Sequence, residues 1–75
     1  MPVIKRFANC TLRLNLRDHH PPHFHLLLRD GRMASVDLGT FEIIGDVERR
    51  EVLEAMNWAQ ENRETLLKVF EELKT

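Results

Sequence analysis

His23-Phe24-His25-Leu26-Leu27-Leu28-Arg29-Asp30-Gly31-Arg32-Met33-Ala34-Ser35-Val36-Asp37 is the stretch whose reading sets the fold. Asp-Gly between two runs containing regularly placed apolar residues is a strong β-hairpin signal, and side-chain parity then selects the loop. A two-residue loop would pair Leu26 with Ser35 and Phe24 with Asp37, turning a carboxylate toward the core. A three-residue loop, Arg29-Asp30-Gly31 with a left-handed glycine, pairs Phe24 with Val36 and Leu26 with Ala34. The second register is the expected one. On the opposite face it sets His23 across from Asp37 and His25 across from Ser35, so two imidazoles and a carboxylate share a surface.

Before this hairpin, Cys10 to Leu16 holds apolar residues at even positions and Thr11, Arg13 and Asn15 at odd ones, the pattern of a half-buried strand. The intervening Arg17 to Pro22 is polar, and Pro21-Pro22 forbids helix and leads the chain extended into the strand from about His23 to Arg29. After the hairpin, Thr40 to Ile44 predicts a short fourth strand between Gly39 and Gly45. Beyond Gly45 the period becomes helical and Gly and Pro disappear. Asp46 is the expected N-cap, with Glu48 near the positive end of the dipole. Val52, Met56, Ala59, Leu66, Phe70 and Leu73 keep 4-3 spacing, interrupted where Arg63 takes a seam position. The spacing fits either one long helix or two, and a cap at Asn62 favours a break there, because two short helices cover a small sheet better than one rod. Glu64 and Lys68 form a favourable i,i+4 pair on the second helix. The expected fold is α+β: a three- to four-stranded antiparallel sheet in 1–45, with two helices in 46–75 packed on one face, all in one domain spanning 1–75.

With 75 residues, 43% hydrophobic and 31% charged, the chain supports one small core and marginal stability, which self-association would raise. The net charge of −1 argues against a generic nucleic-acid binder held by bulk positive charge. Its distribution is uneven. Residues 1–32 hold six cations against Asp18 and Asp30, a balance of +4, while 33–75 hold five cations against ten carboxylates, a balance of −5. All four histidines lie in the basic part, so an anionic ligand, phosphate included, is expected there. One cysteine makes no intramolecular disulfide, and Met1 to Arg6 lacks a signal-peptide apolar core. No apolar run approaches the ~20 residues of a membrane helix. The expectation is a cytoplasmic protein with no membrane partner.

The unusual block is Asp18-His19-His20-Pro21-Pro22-His23-Phe24-His25. His23 and His25, two apart on a strand, leave one face roughly 6.6 Å apart at the backbone, close enough to share a metal. A catalytic zinc needs three protein ligands and an open position, and His23, His25 and either His19 or His20 meet that count, with Asp37 a further candidate. Metal-free acid–base chemistry is the second reading. Paired imidazoles can hold one neutral and one protonated ring, and Arg13, Arg17 and Arg29 are candidate anion contacts. RNA suits such a set because it supplies its own 2′-hydroxyl nucleophile. In the third reading the histidines only fix the turn, and the protein is a non-catalytic binding module. Phe24 and Cys10 sit on the inward parity and read as core, while Trp58 lies off the helical seam, either closing the core's edge or anchoring a partner.

Met1-Pro2-Val3-Ile4-Lys5-Arg6-Phe7, Leu12-Arg13-Leu14, the histidine block, Val36-Asp37-Leu38, Trp58-Ala59 and Asn62-Arg63-Glu64-Thr65-Leu66-Leu67 together resemble a family of short bacterial proteins, one of the domain-of-unknown-function families. Its signature reads Asp-His-x-Pro-Pro-His-Phe-His, and the resemblance runs in register over nearly the whole chain. It implies a cytoplasmic protein often encoded beside a second small uncharacterised family, and so a small partner protein in a toxin–antitoxin-like pair. The signature histidines fall on His19, His23 and His25, Asp18 opens the block, and Asp37 matches the family's aspartate. His20 takes the variable position, which favours His19 over His20 as a ligand. Where the family often carries an aromatic residue in its first strand, this chain has Leu14 and Asn15.

Overall fold

The structure is a computed structural model and describes residues 3–15 and 20–73. Five strands form one antiparallel meander in chain order: β1 (Val3–Arg6), β2 (Cys10–Arg13), β3 (His23–Leu28), β4 (Met33–Asp37) and β5 (Ile43–Gly45). A 3-10 turn over Arg49–Val52 leads into two helices, α1 (Leu53–Glu61) and α2 (Arg63–Leu73). The α+β class and the pair of helices are as expected from the sequence; the sheet has one strand more. The extra strand is β1. Its partners skip from Val3↔Arg13 to Lys5↔Leu12, and this irregularity removes the strict alternation that marks a strand in sequence.

The central hairpin has the expected register, His23↔Asp37, Phe24↔Val36, His25↔Ser35 and Leu26↔Ala34. Leu28 N–H donates to Arg32 O at 2.8 Å, closing a three-residue loop in which Gly31 takes φ +98°. Any L side chain at Gly31 would be strained there, although space around it is open. The chain enters β3 through a bend at His20 and Pro21, with a cis His20–Pro21 bond, where the prolines alone suggested a straight lead.

One face of the sheet carries the core. Leu12, Leu14, Phe24, Leu26, Val36 and Leu38 are fully enclosed, and Val52, Ala55, Met56, Ala59, Leu66 and Phe70 close over them from the helical side. The helical seam thus follows the 4-3 positions. At its interruption, Arg63 Nε donates to Leu38 O at 2.6 Å, so the guanidinium seals the end of β4. Asn62 breaks the helices from the other direction than expected. Its backbone and side-chain N–H groups both donate back to Trp58 O, at 3.0 and 2.9 Å, ending α1 in place of N-capping α2 by its side chain.

The helical region begins at Glu48, two residues after the expected cap. Glu48 N–H donates to Glu51 Oε2 at 2.9 Å, and buried Val47 and Val52 stand at the flanking positions of a hydrophobic staple. Glu51 also takes two bonds from Arg32, at 3.2 and 2.6 Å, while Arg32 reaches Asp46 O and Asp30 Oδ2 at 3.0 and 2.9 Å. This clamp ties the hairpin tip to the start of the helical region. Arg32 and the bonded Glu48 amide hold the Glu51 carboxyl down at about 2, and Arg32 holds Asp30 below its ordinary value. No helix of the described residues is long and apolar enough to cross a membrane.

Candidate functional site

Strand alternation puts His23 and His25 on the sheet face opposite the core, and both are only partly buried. Their rings meet edge to face, with centroids 5.1 Å apart. His23 Nδ1 lies 2.8 Å from Pro21 O. A carbonyl only accepts, so Nδ1 carries the proton and the neutral ring keeps its lone pair on Nε2. His25 Nε2 lies 2.9 Å from Asn15 Nδ2, and its Nδ1 lies 3.4 Å from Ser35 Oγ. Asn15 and Ser35 hold this ring from the two neighbouring strands.

Arg13 stands directly across from His25 in the β2–β3 ladder. Its Nε is enclosed without a hydrogen-bond partner, as is Asn15 Oδ1. An enclosed donor on the residue facing His25 and an enclosed acceptor on the amide that contacts it are therefore both unsatisfied. Asp37, opposite His23, has its Oδ1 taken by the backbone: Gly39 N–H donates at 2.6 Å and Thr40 N–H at 3.0 Å. That carboxylate builds the turn after β4, where Phe41 is held at φ +60° with its ring against Phe24.

Two sequence candidates lie outside the described residues, His19 and Arg17, as does Asp18. Arg29 is separated from the histidines. It follows β3 at the end opposite His23, and its Nε donates to Ala8 O. On the extended strand Arg29 is six positions from His23, roughly 20 Å, and four from His25, roughly 13 Å, so it does not share their surroundings as an anion contact. Among the described residues no three His, Cys, Asp or Glu side chains are arranged to hold a metal ion.

Sequence reading missed Phe70 as a wall of the site. Its ring centroid lies 5.5 Å from that of His20 and 5.8 Å from that of His23, and next to it Glu71 Oε2 lies 2.9 Å from His20 Nε2. The available signal was its place near the end of the helical seam. Trp58 packs its edge on Phe7 at 6.1 Å with Lys5 Nζ above both rings, closing the core's margin. Cys10 is enclosed, and burial first and Glu54 second push its thiol up, which argues against a thiolate nucleophile.

A family model described as Domain of unknown function (DUF4160) matches residues 11–71, which takes in β2 to β5, the histidine block and nearly all of the helical region. The chain belongs to the DUF4160 family. No curated protein and no solved structure matches it. For a DUF4160 chain the site itself is the guide to function, and within the matched span lie Arg13, Asn15, His23, His25, Ser35 and Asp37 together.

Proposed function

We propose that this protein is an RNA-directed component of a toxin–antitoxin-like pair in the bacterial cytoplasm, with His23 and His25 as the acid–base couple of a phosphodiester transfer. The observation that carries this reading is the pair of imidazoles 5.1 Å apart on the sheet face, with Arg13, whose Nε–H is enclosed without a partner, across the ladder from His25. His23, protonated at Nδ1 by its carbonyl contact, takes the 2′-hydroxyl proton at Nε2. The 2′-oxygen attacks phosphorus, the bond to the 5′-oxygen breaks, and His25, as the imidazolium with the Asn15 amide turned so that Oδ1 accepts from Nε2–H, gives its Nδ1 proton to that leaving oxygen by way of the Ser35 hydroxyl. The products are a 2′,3′-cyclic phosphate and a 5′-hydroxyl end. Arg13 stabilises the charge that develops on the phosphoryl oxygens. His19 and Asp18 are further members of the site by position in the signature, and Arg17, which immediately precedes it, is a candidate anion contact. Asp37 serves by fixing the turn beside β4.

A divalent metal, zinc in first place, held by His19, His23 and His25 is the second reading. The Pro21 carbonyl on His23 Nδ1 favours it, because ligating imidazoles usually donate their other N–H to such a group. The two separate on a substrate carrying a single 2′-deoxy substitution. Loss of cleavage only at that linkage, with cyclic phosphate at the others, supports the acid–base couple. Cleavage that continues at the deoxy linkage contradicts it and favours a metal-activated water.

A further inference from the structure

Ladder register orders the sheet face opposite the core into rows, and the charges of this face separate to the two sides of β3. The row nearest the bend holds His23 and Asp37, with Glu42 beyond Asp37, whose N–H donates to Glu42 O at 3.1 Å. The next row runs Val3, Arg13, His25, Ser35 and Ile44 across all five strands, and a third holds Arg6, Thr11, Leu27 and Met33. The cations of these rows are Arg6 on β1 and Arg13 on β2; the carboxylates are Asp37 on β4 and Glu42 beside β5. Arg29, just past β3, is drawn off to Ala8 O. Two charges of each sign thus flank the imidazoles of the middle strand. Of four large hydrophobics left exposed among the described residues, three belong to this face: Val3, Met33 and Ile44, the last 65% exposed.

We infer that this face packs on the same face of a second copy and closes over the histidine couple. The placement of the charges selects the occupant. A two-fold interface requires each group to meet its counterpart on an identical surface, and the exposed Arg6 and Glu42 stand at diagonally opposite corners of the rows. With strands about 4.8 Å apart and alternate residues about 6.7 Å apart along each, His25 is about 12 Å from both corners at the backbone and Met33 about 14 Å from both. A two-fold axis lying in the face along the line of His25 and Met33 therefore sets Arg6 of each copy over Glu42 of the other. The same rotation carries Arg13 toward Asp37 and brings the two Met33 side chains together. It crosses the sheets steeply, in the orthogonal mode of sheet packing. An anionic polymer would meet Asp37 and Glu42 along with the arginines, and an unrelated partner would not require the two corners to match each other. The face measures roughly 19 Å across and 13 Å along, smaller than the faces of permanent dimers, so the association is weak and reversible. The dimer stands without the function proposed above; only its consequence, that pairing masks cleavage, rests on that reading.

The test is sedimentation of the untagged, intact protein at low salt from about 1 to about 500 µM, with a thermal melt of each variant. The average mass should rise from that of one chain toward that of two. Arg6→Glu alone and Glu42→Arg alone, each setting like charges together at both symmetric contacts, should weaken association at least about tenfold. The double change Arg6→Glu with Glu42→Arg should restore it to within about threefold of wild type, because each corner again meets its opposite. Met33→Glu should leave a monomer with a melt near wild type, since Met33 is exposed. A monomer at every concentration overturns the inference, and so does a dimer that ignores the single changes or that the double change fails to restore. With labelled RNA, cleavage per chain should fall as wild type enters its association range and stay constant for Met33→Glu. Cleavage that needs His23 and is constant per chain in both proteins, with the dimer present, sinks the masking alone. A dimer that obeys the charge exchange, with no cleavage at any concentration, sustains the interface and sinks the acid–base reading alone.

Discussion

His23 stands directly opposite Asp37 in the β3–β4 ladder, yet the Asp37 Oδ1 oxygen is spent on the amides of Gly39 and Thr40 at 2.6 and 3.0 Å. Register gave these two residues a common surface, and the turn after β4 then engaged one of them. A His–Asp couple is therefore a weaker account of this site than a His–His couple in which aspartate shapes the neighbouring loop.

Asp37→Ala removes the acceptor of two turn amides and should cost about 1–2 kcal/mol of stability, read by denaturant melts. Asp37→Asn keeps an oxygen at that position. It should retain most of the stability and most of the RNA cleavage, whereas a catalytic carboxylate would lose cleavage in both variants.

The Arg32–Glu51 clamp makes stability pH-dependent on the acid side. The Glu51 carboxyl is held at about 2 in the folded protein against an ordinary 4.5, so its contribution is complete above the ordinary value and is lost as pH falls from there toward 2. Arg32→Ala should lower the melting temperature at neutral pH and flatten its decline across that acid window. Parallel melts at neutral pH and at pH steps through the window compare the two proteins.

Gly45 sits at φ +136° on the edge strand, and a Cβ built there would lie 2.8 Å from Met33 O and 3.0 Å from Ala34 Cα. Both contacts are backbone and cannot swing aside. Gly45→Ala should cost about 1–3 kcal/mol and release β5, seen as faster amide exchange at Ser35 and Ile44.

Leu26 is fully enclosed at the centre of the sheet, so Leu26→Ala should cost about 2–5 kcal/mol. In a domain of this size that is a large share of the total. Ser35→Ala, on the other face beside His25, should leave the melt close to that of the parent protein while altering the pH profile of cleavage.

Much of this fold was legible because parity leaves few choices. With Asp-Gly at the tip, only one loop length kept Asp37 out of the core, and that register brought His23 and His25 to one face. The helical break at Asn62 was legible because a capping residue there lets two short helices cover a small sheet, although Asn62 acts as the end of α1. What stayed hidden depended on distance along the chain. β1 carries a bulge that spoils its alternation, and the Glu48–Glu51 pair displaced Asp46 as the helix start. Arg32 joins three separated carboxylate and carbonyl groups that no local pattern connects. Arg29 shows the converse: it is four residues from His25, but on an extended strand that distance carries it away.

The most direct measurement is the initial rate of cleavage of a labelled RNA by untagged protein in excess chelator, for wild type, His23→Ala and His25→Ala, each with a thermal melt. Loss of about a hundredfold or more in both variants, with melts near wild type and no effect of chelator, is the expected result. Rates that are equal in all three proteins, a loss that tracks the melts, or activity that vanishes with chelator would contradict the acid–base couple.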